Sequence, residues 1–150
     1  MAWRYFGEDN EIRSVGPKRA KQFEEWQELL ATSPRSAPGV EADIRAAINA
    51  SIDEKVTQYG WSERCAFGSS QLPSSDWNGT IYQPIYAVML ERYGADLAWD
   101  QSRFFLSLLV KDVVSQRNEH WCCYKVQEQE ERMKGTFYFP DLEMQSAIAA

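Results

Sequence analysis

The sequence has few of the residues that most catalytic and metal sites require. It contains one histidine, His120, and three cysteines, Cys65, Cys122 and Cys123. Structural zinc sites use paired Cys and His ligands at short, regular spacings, and these four residues do not follow such a spacing. Cys65 and His120 are the one Cys–His pair of interest, but Cys65 lies in a segment that reads as the interior of a strand, where a free thiol is typically buried. The sequence therefore predicts no metal, no cofactor and no catalytic residue, and it favours a protein that is not an enzyme.

Long apolar runs and an excess of basic residues are also missing. No stretch approaches the roughly 18 apolar residues that a membrane-spanning helix needs. The first ten residues do not show the basic and apolar regions of an export signal. The net charge is −6, which opposes binding to a phosphate backbone. We therefore expect a cytoplasmic protein with reduced thiols that binds neither membranes nor nucleic acids.

Aromatic residues, by contrast, are abundant. The 150 residues include 6 Trp, 7 Tyr and 7 Phe, and each buried ring removes roughly 150–250 Å² from water. A chain of this length fits one globular domain, residues 1–150. The rings can build its core, or a surplus of Trp and Tyr can line an interaction surface, where these residues are enriched.

Hydrophobic periodicity predicts about four helices. Pro17 opens the first, which continues to about residue 30, and isoleucines every four residues from Ile44 mark the second, with Gly60 as its stop. Segment 81–93 reads as a third helix that stops at Gly94. Segment 97–116 is apolar on more than one face, which predicts the central and most buried helix.

The remaining segments predict strands. Residues 120–126 and 135–139 alternate like a hairpin joined by the charged loop 127–134, and residues 61–70 form a further candidate strand. Neighbours on a strand face opposite sides, which argues against a disulfide between Cys122 and Cys123. Residues 141–150 read as a loosely ordered tail. The predicted fold class is α+β, with about four helices packed on a small antiparallel sheet that includes a C-terminal hairpin.

The most unusual segment is the predicted loop 68–84, which contains Asp76, Trp77, Asn78 and Tyr82. Loops longer than about 12–15 residues in compact domains are usually functional or mobile. Asp76 can start a turn that presents Trp77. One interpretation is a lid that packs Trp77 onto the core, and the other is a surface that binds a partner.

Two functional hypotheses follow. The first is a small non-catalytic binding or protein-interaction protein of the bacterial accessory type, which binds a protein partner or self-associates as a homo-oligomer. The alternative is a small-molecule-binding domain or minor enzyme, with an aromatic pocket between the central helix and the sheet. The residues predicted to line that pocket are Tyr82, Tyr86, Trp121 and Tyr124.

Overall fold

A computed structural model describes residues 12–59, 67–68, 77–126 and 135–140, with only the backbone described for 124–126 and 135–136. These residues form an α+β fold, as the sequence predicts. The helices are α1 (Pro17–Thr32), α2 (Val40–Tyr59), α3 (Gln83–Tyr93) and α4 (Ala95–Gln116), and the strands are β1 (Phe67–Gly68), β2 (Trp121–Val126) and β3 (Gly135–Pro140). None of the helices within these ranges combines the length and apolarity that a bilayer crossing requires.

Local signals explain where the helices begin and end. Pro17 is the first residue of α1, where its missing N–H leaves no hydrogen bond unmade. Gly94 separates α3 from α4 with a φ of +84°, a conformation that favours glycine, and its N–H caps α3 by donating to Leu90 O at 3.0 Å. Because the connection is this short, α3 and α4 form a helical hairpin.

The core is built mainly on α4. Phe105, Leu109 and Val110 are fully buried there, which confirms the prediction of a central helix. The isoleucine repeat of α2 is also buried, since residues four apart lie on one face of a helix. Arg45 Nη2 on α2 lies 2.7 Å from Asp112 Oδ2 on α4, an ion pair that links these two helices at their polar edge.

The sheet is antiparallel with the order β1-β3-β2. The predicted hairpin is confirmed: Cys123 pairs with Tyr138 in β2 and β3. Of the predicted strand 61–70 only Phe67 and Gly68 are described, and Phe67 pairs with Tyr138 from the other side. Residues 61–66, with Cys65, the loop 127–134 and the tail 141–150 lie outside the described residues.

The sheet buries side chains from both faces. Phe67, Trp121 and Tyr138 join the helical core. Cys122 and Phe137 occupy the opposite face and are buried as well. Cys122 and Cys123 are both free thiols, in agreement with their expected orientation on a strand.

Candidate functional site

The candidate site is a groove of about 530 Å³ between the turn at residues 77–80, α3 and the start of α4. We call it the Trp99 groove. It is lined by aromatic, apolar and polar side chains: Arg35, Trp77, Asn78, Gln83, Tyr86, Ala87, Leu90, Glu91 and Trp99.

The turn before α3 holds Trp77 in place. The Thr80 N–H and the Thr80 hydroxyl both donate to Trp77 O, at 3.1 and 2.8 Å, and Gly79 adopts a φ of +76°. A β-turn whose third residue has a positive φ favours glycine at that position. Trp77 is thereby packed onto the molecule and is only 4% exposed.

Three rings form the wall of the groove. The Trp77 and Trp99 ring centroids are 5.7 Å apart with planes inclined at 60°, and Tyr86 meets Trp99 at 6.5 Å and 64°. Aromatic pairs prefer such edge-to-face arrangements, which fix the relative orientation of the rings. Tyr86 and Trp99 are half-buried, so each exposes part of its ring while the rest is held by its neighbour.

Polar and apolar groups border this wall. Arg35 Nε lies 2.6 Å from Glu91 Oε2, and the two side chains are 64% and 49% exposed. Leu90 is also exposed. Within the described residues, the side-chain polar atoms of Gln83, Tyr86 and Trp99 make no hydrogen bond to the protein. The groove therefore offers hydrogen-bonding groups that a ligand can use.

The predicted residues of the 68–84 segment separate into two groups. Trp77 and Asn78 line the groove, and Asn78 is exposed. Tyr82 packs against Trp77 from the interior, with a centroid distance of 6.3 Å, and is only 5% exposed. Burial raises the pKa of Tyr82, and a hydrogen bond with Ser51 partly offsets the increase. Asp76 lies outside the described residues.

The other predicted residues also separate. Tyr86 lines the Trp99 groove. Trp121 is only 3% exposed, and its Nε1 donates to Glu119 Oε1 at 3.1 Å, so it belongs to the core and does not reach the groove. The Tyr124 side chain is outside the described residues. The structure thus places Tyr86 at the groove and Tyr82 and Trp121 in the interior.

Sequence reasoning missed the residues that complete the groove: Arg35, Gln83, Ala87, Leu90, Glu91 and Trp99. One signal was present. Gly94 divides two predicted helices, and a helical hairpin brings the end of one beside the start of the next, which places Leu90 and Trp99 near each other. No local pattern in the sequence indicates that Arg35 lines the groove, because Arg35 belongs to the distant connection between α1 and α2.

The described lining of the groove contains few ionisable side chains. Among the described residues that line it, the carboxylate is that of Glu91, which is paired with Arg35, and none is a histidine or a cysteine. Across the described ranges, no group of three or more His, Cys, Asp or Glu residues could hold a metal ion. Comparison of the chain with protein-family models, curated proteins and solved structures finds no match.

Proposed function

We propose that the chain is a non-catalytic protein-interaction protein that binds a segment of a partner protein in the Trp99 groove. The observation that carries this proposal is the wall of edge-to-face rings formed by Trp77, Tyr86 and Trp99 beside an open groove. Trp and Tyr are enriched among the residues that dominate binding energy at protein interfaces.

The rings of this wall are held before a partner arrives. Tyr86 and Trp99 project from helices, and Trp77 is fixed by the turn that ends at Thr80. Side chains already ordered in the free protein lose little conformational entropy on binding. The exposed Leu90 adds apolar surface next to the rings, and Gln83 adds an amide that can bond to a peptide backbone.

A small-molecule ligand is the second candidate. The volume of about 530 Å³ falls within the range of roughly 300–1,000 Å³ that is typical of ligand pockets. The aromatic lining with a few polar groups also suits such a ligand. This site differs from the pocket predicted between the central helix and the sheet, since it lies between α3, α4 and the 77–80 turn.

The test selects random 12-residue peptides displayed on phage against the full chain and measures their affinity for three variants. Trp99→Ala and Tyr86→Ala should weaken binding by about tenfold or more, as expected when a central aromatic contact is removed. Leu97→Ala is the matched control, because Leu97 is 48% exposed and does not line the groove. Circular dichroism should show the same helix content in all variants.

Two results would contradict the proposal. The first is a set of selected peptides that bind Trp99→Ala as tightly as the unaltered chain, or a selection that yields no binding peptide. The second is that no peptide binds, whereas a metabolite raises the melting temperature of the unaltered chain and leaves that of Trp99→Ala unchanged. This second result would favour the small-molecule function.

A further inference from the structure

An ion pair between distant segments lines the Trp99 groove. Arg35 belongs to the connection between α1 and α2, and Glu91 belongs to α3. The Arg35 guanidinium therefore brings a positive charge to a groove that has Trp99 and Tyr86 in its wall. Arginine is enriched at protein interfaces, where its guanidinium pairs with carboxylates and stacks on aromatic rings.

This ion pair is suited to exchange. Both side chains are largely in water, at 64% and 49% exposure, and exposed ion pairs add little to stability because solvent screens the charges and two long side chains must be ordered. Replacing Arg35 on Glu91 by a cation from another molecule therefore costs the fold little. The same site would then hold the partner's charge in place of the chain's own.

We propose that the partner segment carries an arginine or lysine that takes the place of Arg35 on Glu91, in the groove that Trp99 and Tyr86 also line. This inference rests on the proposed function and specifies the chemistry of the partner. Arg35 then acts as an internal competitor that the partner displaces. Aromatic faces attract cations, so the ring wall and the Glu91 carboxylate favour the same charge.

Charge complementarity supports a basic partner over an acidic one. The chain has a net charge of −6, which attracts a cationic segment during approach and repels an anionic one. The alternative is an acidic partner residue that binds Arg35 in place of Glu91. The experiment below distinguishes an acidic partner from a basic one.

The experiment uses the phage-selected peptides and the variants Arg35→Gln and Glu91→Gln. Each peptide is also made with its basic residues replaced by glutamine. For an original peptide, Arg35→Gln should tighten binding by about three- to tenfold, because the competitor is gone, and Glu91→Gln should weaken it by a similar factor. The glutamine peptide should bind the unaltered chain and Glu91→Gln equally, since a double-mutant cycle isolates the pairwise contact.

The cycle also separates this inference from the proposed function. If Trp99→Ala abolishes binding but the effect of Glu91→Gln is the same for both forms of the peptide, the groove binds peptides and the basic-residue inference is wrong. Weaker binding to Arg35→Gln would overturn it too, and would indicate an acidic partner. If Trp99→Ala has no effect, both proposals fail. Both charge variants should melt within about 2 °C of the unaltered chain, because an exposed pair adds little stability.

Discussion

Two aromatic clusters in this molecule have the same ring geometry and different surroundings. One, the α1–α4 cluster, consists of Phe23, Trp26, Phe104 and Phe105, with centroid distances of 5.7 to 5.8 Å. The other is the wall of the Trp99 groove, with distances of 5.7 to 6.5 Å. Edge-to-face packing alone therefore does not distinguish a core from a binding surface.

What differs is how the polar atoms and outer faces of the rings are covered. In the α1–α4 cluster Trp26 is 3% exposed, its Nε1 donates to Tyr93 Oη at 2.8 Å, and the Arg19 guanidinium covers Phe104 at 4.2 Å. In the Trp99 groove the Trp99 indole has no hydrogen bond within the described residues. A buried indole N–H normally finds a partner. The rings of the first cluster are thus more completely covered than Trp99, and this difference supports the proposed binding surface.

The largest test of this difference replaces one tryptophan in each cluster by alanine. Trp26→Ala should lower the free energy of unfolding by about 3–5 kcal/mol, the usual cost of removing a buried ring. Trp99→Ala should cost about 1–2 kcal/mol, because Trp99 is only partly buried and loses less packing than Trp26. Urea unfolding measures both values.

Trp77→Ala is a control for the comparison of Trp26→Ala with Trp99→Ala, because Trp77 lines the groove but is only 4% exposed. Its alanine variant should resemble Trp26→Ala in stability. An equal loss of stability for Trp99→Ala and Trp26→Ala would show that both clusters are core, and the comparison would no longer support a binding surface.

The fold was predictable where its signals are local. Pro17, Gly94 and the isoleucine repeat of α2 each mark a helix within a few residues, and alternation marks the β2–β3 hairpin. The pairing of β1 with β3 was not predictable, since Phe67 and Tyr138 are far apart in the sequence. Contacts between distant segments depend on how the whole chain packs and leave no periodic pattern in either segment.

The candidate site was predictable only in part for the same reason. A tryptophan next to an Asn-Gly turn drew attention to Trp77, and Tyr86 lies on the following helix. The sequence could not show that Tyr82 and Trp121 are enclosed, because a tyrosine or tryptophan suits both an interior and a surface. Nor could the sequence predict the contact between Arg35 and Glu91, which lie 56 positions apart.

A second test concerns a phenol in the interior. Burial raises the pKa of Tyr138, and the nearby charge of Cys123 adds to the increase. Because the folded pKa lies above the unfolded value of about 10, the folded state holds this proton more tightly. The resulting stability is fully present below pH 10 and is lost above it, by about 1.4 kcal/mol per pH unit until the folded pKa is reached.

Urea unfolding between pH 8 and pH 11 measures this dependence. Tyr138→Phe is the control, since it keeps the ring and removes the ionisable group. All other ionisable residues are the same in both proteins, so the difference between the two curves is assigned to Tyr138. Parallel curves above pH 10 would mean that the Tyr138 hydroxyl reaches water, and that this side of the core is less closed than the α1–α4 cluster.

The smallest effect is expected at Ser102. It tests whether an unpaired polar group in the interior of α4 lowers stability without contributing to peptide binding. Ser102 lies on α4 three residues after Trp99 and is fully buried, and its Oγ has no hydrogen-bond partner in the part of the chain that the structure describes. An unpaired hydroxyl in the interior is unfavourable, and alanine is the better helix former. Ser102→Ala should therefore raise the free energy of unfolding by about 1 kcal/mol and leave peptide affinity unchanged. Lower stability would show that the hydroxyl is bonded, and weaker peptide binding would extend the site from Trp99 into the interior of α4.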